Sequence, residues 1–218
     1  MPKQLLIFDL DGTLVDTSKD ITNALNYAIK PYAIRELTVE DTIQLVGEGI
    51  SRLIEKLAEK TSSGHKEEMR NRFLEYYEKH LTDYSTVYPQ VRQTLEALRS
   101  YKKAVISNKR ERLSRILLER LNLLDYFVFI GGSDSFPEKK PSPVPILDTL
   151  RQLGVKPQDT MIIGDSNFDI EAGKRAGTKT VAVSYGYRDK KYLQDADYII
   201  DSFQDLVLIL DIDSQKFI

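Results

Sequence analysis

After Pro89 the chain alternates short apolar runs with helix-period segments, and this alternation limits the possible folds more than any other feature. The runs are AVIS at 104–107, FVFI at 127–130, MIIG at 161–164, TVAV at 180–183 and YII at 198–200. Each is apolar at successive positions and too short for a buried helix, as expected of a strand covered on both faces. Between them lie stripes such as Leu113, Ile116, Leu117, Arg120 and Leu121, with further helices read near 90–100, 143–153, up to Gly177, and 203–210. Strands separated by helices require right-handed crossovers, which build a parallel sheet with helices on both faces. LLIF at 5–8, within a first strand read at 4–9, supplies one more strand. The fold class expected is α/β, a doubly wound parallel sheet whose ligands bind at the carboxyl ends of the strands.

Residues 16–84 break the alternation. Ile21, Ala24, Leu25, Ala28 and Ile29 form one helical stripe, Ile50, Leu53, Ile54, Leu57 and Ala58 another, and Met69, Phe73, Tyr76, Tyr77, His80 and Leu81 a third. These spacings are those of amphipathic helices. Thr38 with Asp41 three residues on reads as a capping box. The expected organisation is a core domain of residues 1–15 and 85–218, interrupted by an all-helical insertion over 16–84.

Composition narrows the function. The 31 Lys and Arg against 33 Asp and Glu leave a net charge of −2, with no positive excess to attract a nucleic-acid backbone or an anionic membrane. With 218 residues and no Cys, the chain has neither a disulfide framework nor a thiolate nucleophile. There is no apolar run of about 18 residues and no basic-then-apolar leader, so a cytoplasmic, unexported protein is expected. His65 and His80 are the only histidines. Carboxylates and lysines are left to carry the chemistry.

Those residues gather at strand ends. Asp9 and Asp11 follow LLIF, Ser107 and Asn108 close the second run, and Asp165 with Asp169 follows MIIG. Asp9 and Asp11 are two apart, so extended backbone sends both side chains to one face, and Gly12 permits a sharp turn beyond them. Close carboxylates share a site when a cation or a proton intervenes. Up to four of them make a hard-oxygen environment suited to Mg²⁺.

The string FDLDGTLVDT at 8–17 resembles the signature of the haloacid-dehalogenase-like hydrolases, a superfamily dominated by aspartate-nucleophile phosphatases. Its other motifs match in order: Ser107 and Asn108 in ISNK, Lys140 in KKPSP, and Asp165 with Asp169 in GDSNFD. The match runs from residue 5 to about 185, and the insertion corresponds to the family's helical cap. The resemblance implies a Mg²⁺-dependent phosphatase acting on a small phosphorylated metabolite, as a monomer or homodimer. Asp9 is then the nucleophile and Asp11 the general acid and base. Mg²⁺ is held by Asp9, the Asp11 backbone carbonyl and Asp165, with Asp169 close behind. Phosphate is bound by Ser107, the Asn108 backbone N–H, Lys140 and Thr13. Lys140 is preferred over Lys139 because the family's lysine directly precedes a proline.

LVGEGI at 45–50 resembles the cap segment of phosphoglycolate phosphatases, which makes phosphoglycolate the leading substrate; a simple helix–helix turn explains its glycines as well. Pyrophosphate, a sugar phosphate or a phosphomutase reaction are alternatives within the superfamily, and a non-catalytic scaffold is one outside it. A dehalogenase does not use a second aspartate such as Asp11. Other residues keep two readings. Thr13 either bonds Asp11 or caps the next helix, Lys109 either assists phosphate binding or faces water, and Arg52 either meets a substrate carboxylate or is solvated. Ser107 and Asn108 also fit a helix N-cap, Asp16 reads as the cap of the first inserted helix, and Tyr76 and Tyr77 as packing residues. His65 and His80 receive no role.

Overall fold

The computed structural model describes residues 4–47, 49–59 and 65–215. Glu48 of the LVGEGI segment and the side chain of Ile50 lie outside the described residues. Six of the strands form one sheet, all parallel: β1 Leu5–Phe8, β4 Lys102–Ile106, β5 Phe129–Gly131, β6 Thr160–Gly164, β7 Lys179–Val183 and β8 Tyr198–Ile200. Their spatial order is β5-β4-β1-β6-β7-β8. The chain therefore builds outward from β1 on one side, returns, and builds outward on the other. The reversal leaves a crevice at the carboxyl ends of β4, β1 and β6, the place where such sheets bind ligands.

Alternation along β1 explains its unbroken apolar run. Leu6 and Phe8 enter the larger core, whereas Leu5 and Ile7 pack on the opposite face with Ala104, Ile106 and Ile162. All four β1 residues are fully buried. At about 1.5–3 kcal/mol per large apolar side chain, burial on both faces fixes this strand centrally. The core-side helices are α5 Val91–Ala97, α6 Glu111–Arg120, α7 Val144–Leu153, α8 Asn167–Ala176 and α9 Leu206–Gln215.

The insertion contains α1 Ser18–Ile29, α2 Val39–Leu45, α3 Ile50–Ala58 and α4 Lys66–Lys79. The expected capping box starts α2: Asp41 N–H donates to Thr38 Oγ1 at 3.1 Å and Thr38 N–H to Asp41 Oδ2 at 2.9 Å. Met69, Phe73 and Tyr77 are the buried residues of α4. They pack with Ile21, Leu25 and Leu53 in the same apolar cluster that contains Phe8, Leu10 and Leu14.

The junctions of the insertion hold a feature absent from the sequence reading. β2 Val15–Asp16 pairs antiparallel with β3 Thr86–Val87, tying the entry of the insertion to its exit. Two-residue strands carry too short a pattern to show alternation. Asp20, buried on α1, reinforces the junction by accepting the Tyr84 and Ser85 N–H groups and, at 2.6 Å, the Ser85 hydroxyl.

Candidate active site

Asp9 follows β1 directly, and Asp165 follows β6, the strand paired with it. Asp169 comes from the first turn of α8, where its Oδ2 accepts the Ser166 N–H and hydroxyl in a capping box. Asp9, Asp165 and Asp169 each present an oxygen within 4.8 Å of the others. Asp165 Oδ2 accepts the Tyr187 N–H at 2.7 Å, and its Oδ1 faces the Thr13 hydroxyl at 3.4 Å. Gly12 makes the close approach possible, with φ +84° and Asp165 Oδ2 only 2.3 Å from where a Cβ would stand. Any other residue there would be strained and would collide with a buried carboxylate.

Lys140 supplies the balancing charge. Its Nζ donates to Asp169 Oδ1 at 2.6 Å and stands 2.9 Å from Asp9 Oδ1, and its side chain is 2% exposed. The contact with Asp9 is an ion pair without hydrogen-bond alignment, because the buried Asp9 Oδ1 has no hydrogen-bond partner. Burial raises the Asp9 carboxyl to about 6; Lys140 opposes that rise and the charges of Asp169 and Asp11 add to it. Burial also lifts Asp165 well above the usual carboxylate range, helped by Asp9 and Asp169. Burial by itself would lower the Lys140 ammonium, but Asp169 and Asp9 outweigh it and hold the ammonium above its ordinary value. Three carboxylates facing one lysine leave negative charge in excess, and one of their oxygens lacks a donor. This all-oxygen set fits a hard divalent cation such as Mg²⁺.

Asp11 is held from the other side. Thr17 Oγ1 donates to its Oδ1 at 2.7 Å, and Lys109 Nζ lies 3.0 Å from its Oδ2. The sequence reading that bonds Thr13 to Asp11 is corrected, since the tight coil from Leu10 to Val15 turns Thr13 toward Asp165. Thr13 does not cap the following helix either. The N-cap of α1 is Thr17 rather than the expected Asp16, and Asp16 instead accepts the Ser18 N–H on its Oδ1 at 3.0 Å from the position before the cap. Lys109 does not face water: its side chain is 6% exposed, and its Nζ donates to the Tyr77 hydroxyl of α4 at 2.8 Å.

Ser107 and Asn108 follow β4 and are both buried. The Asn108 amide donates to Lys140 O at 2.9 Å and to Gly47 O at 2.7 Å, and its Oδ1 accepts the Lys140 N–H at 3.1 Å. It joins the lysine loop to the loop between α2 and α3. Neither residue caps α6, whose first N–H, that of Glu111, donates to Asp134 Oδ1. Lys139 is exposed, unlike its neighbour. Arg52 pairs with Glu55 at 3.2 Å, and His80 Nδ1 lies 2.7 Å from Asp83 Oδ2 on the surface.

Three residues escaped the sequence reading: Thr17, Tyr187 and Arg188. The Tyr187 hydroxyl accepts the Thr17 N–H at 2.8 Å and donates to Asp16 at 3.1 Å. Arg188 donates to Ile43 O at 3.0 Å, Gln44 O at 3.3 Å and Val46 O, gripping the carboxyl end of α2. The available signal was the position of SYGYRD just beyond TVAV, at the same sheet edge as the aspartates. A cavity of about 70 Å³ lies between these groups, and its lining includes Asp9, Asp11 and Asp165 as well as the apolar Leu53, Phe73 and Leu113.

Comparison with known proteins agrees with this geometry. The family model of the haloacid dehalogenase-like hydrolases matches residues 6–183. A phosphoglycolate phosphatase of Aquifex aeolicus is 42% identical over 214 residues, covering 95% of this chain and 97% of the relative. One from Chromobacterium violaceum is 40% identical, covering 91% and 92%. The crystal structure of a predicted phosphoglycolate phosphatase from Haemophilus somnus superposes with a TM-score of 0.89 at 32% identity, covering 95% and 97%. With the expected fold class present and the family match spanning most of its length, the chain belongs to the haloacid dehalogenase-like hydrolases.

Proposed function

We propose that the protein is a Mg²⁺-dependent phosphomonoester hydrolase that works through an aspartyl-phosphate and takes 2-phosphoglycolate as substrate. The observation that carries this reading is the Asp9 carboxylate at the sheet edge, with Lys140 2.9 Å away and two further carboxylates beside it. Asp9, Asp165 and the Asp11 carbonyl would hold Mg²⁺, with Asp169 behind them, and the bound ion would offset the charge that otherwise keeps a carboxylate away from a phosphate dianion.

Asp9 attacks phosphorus and the leaving oxygen departs, protonated by Asp11, to leave an acyl-phosphate on Asp9. Asp11 then takes a proton from water as the water attacks phosphorus, and the Asp9–phosphate bond breaks. Lys140 neutralises both nucleophile and phosphoryl group, while the Ser107 hydroxyl and the Asn108 backbone N–H donate to phosphoryl oxygens. Thr13, whose hydroxyl lies 3.4 Å from Asp165 Oδ1, completes the proposed phosphate-binding set. Residues 16–84 act as the cap over a core of 1–15 and 85–218, excluding water during the first step.

Support for 2-phosphoglycolate comes from the similar phosphatases and from the size of the cavity. About 70 Å³ suits a ligand of few heavy atoms and is well below the roughly 300–1,000 Å³ of drug-sized pockets, which disfavours bulky sugar phosphates. The test is phosphate release from p-nitrophenyl phosphate, 2-phosphoglycolate, pyrophosphate and a hexose phosphate, with Mg²⁺ or with EDTA. Release that needs Mg²⁺, is fastest for 2-phosphoglycolate, and falls on the order of 10⁴-fold or more in Asp9→Asn is expected. EDTA-insensitive release, or full activity in Asp9→Asn, refutes the mechanism. A preference for pyrophosphate refutes only the substrate.

A further inference from the structure

Lys109 has a position that the proposed chemistry does not yet use. It is a buried cation beside the residue proposed to protonate the leaving oxygen, with Nζ 3.0 Å from Asp11 Oδ2. The ammonium therefore lies one carboxylate away from where the leaving group departs. Among the described residues its other hydrogen-bonding neighbour is the Tyr77 hydroxyl at 2.8 Å, and these two do not exhaust three N–H donors. Lys109 lines the cavity together with the apolar side chains of Leu53, Phe73 and Leu113 and with polar groups that include Ser107 and Asn108. An anionic group entering there unpaired would lose its hydration without compensation. Among the described lining residues the only other cation is Arg188, and its guanidinium nitrogens donate to the carbonyls of residues 43, 44 and 46.

We infer that Lys109 is the residue that selects the leaving group, pairing its ammonium with a carboxylate one carbon removed from the ester oxygen. The substrate class is the phosphate esters of 2-hydroxy acids, of which 2-phosphoglycolate is the smallest. This rests on the substrate reading above and adds the residue that enforces it. The spacing is the physical reason: in such an ester the carboxylate and the leaving oxygen are held on adjacent carbons, as Lys109 and Asp11 are held side by side. A neutral leaving group of the same size fills the cavity but leaves the ammonium without its third partner. Sites built around a polar partner reject analogues that lack it far more strongly than apolar pockets reject a missing methylene.

The experiment compares kcat/KM for 2-phosphoglycolate and ethyl phosphate, with Mg²⁺, in the wild type and in Lys109→Met, which keeps length and removes charge. The wild type should prefer 2-phosphoglycolate, and the variant should lose that preference by roughly 100-fold or more, chiefly through KM. A variant that loses activity equally on both esters overturns the assignment, because Lys109 would then act through Asp11 alone. A wild type that prefers ethyl phosphate overturns the substrate reading as well. If circular dichroism finds Lys109→Met unfolded, product inhibition of the wild type decides. Glycolate should inhibit at least about ten-fold more strongly than glycolamide, its neutral isostere. Equal inhibition by the two overturns the assignment.

Discussion

Lys140 shows how one side chain can serve the reaction and the fold together. Its ammonium is enclosed by Asp9 and Asp169, and Asp165 stands beside them. Removing it leaves several buried carboxylates with no cation, and breaking a buried pair in this way costs about 3–5 kcal/mol. Lys140→Met is therefore expected to lose most activity and to lower the urea midpoint of the metal-free protein. Adding Mg²⁺ should recover part of that midpoint, since an ion that binds only the folded state stabilises it by mass action. Lys139→Ala, at the exposed neighbour, should keep both activity and midpoint. The reverse pattern would move the role by one residue. Tyr187 tests a separate link, from cap to carboxylates. Tyr187→Phe removes the hydroxyl bonded to Thr17 and Asp16 while the backbone N–H to Asp165 remains. A stability loss of about 1 kcal/mol is expected, with kcat lowered and Mg²⁺ affinity unchanged; a large loss of Mg²⁺ affinity would contradict it.

At the scale of the element, two polar devices secure the insertion: one starts α2, and the other ties α1 to the exit segment. In the α2 capping box the Thr38 backbone N–H holds the Asp41 carboxyl below its usual 3.8, with Arg35 adding a smaller pull. A carboxyl whose folded value is depressed contributes stability above the unfolded value and loses it as pH falls through the folded one. The difference in melting temperature between wild type and Asp41→Asn should therefore be constant above about pH 5 and should close below 3.8. A difference that grows on acidification would show the assignment to be wrong. Asp20 is the second device, accepting donors from Tyr84 and Ser85 at the exit of the insertion. Asp20→Ala strands the buried Ser85 N–H and hydroxyl, a cost of about 1–3 kcal/mol for each group left unsatisfied. Thermal unfolding of that variant should show the loss, and an unchanged melting temperature would show that water replaces the carboxylate.

At the scale of the whole molecule, core side chains grip the insertion beside the cavity: Arg188 on the carbonyls ending α2, and Asn108 on Gly47 O. Arg188→Gln should speed amide exchange in α2 and raise KM, with kcat changed little; exchange confined to its wild-type rate would exclude a role in holding the insertion closed. The parallel sheet, the helical insertion and the motif residues at strand ends were legible in the chain itself. Burial on both faces writes an apolar run, helix periodicity writes a stripe, and Asp9, Asp165 and Lys140 follow signals that are local in sequence. Other features needed the fold. Val15–Asp16 and Thr86–Val87 are too short to show a pattern, and Lys109 carries no local mark that separates a solvated lysine from one enclosed by Asp11 and Tyr77. Thr17 reaches Asp11 because the chain coils between them, and Arg188 finds its carbonyls more than a hundred residues away. Sequence alone determined which residues could form strands, helices and an acidic edge, because those are properties of neighbouring positions. Tertiary structure alone decided which charges are buried together and which side chains hold the insertion, because desolvation and pairing depend on what the rest of the chain brings alongside.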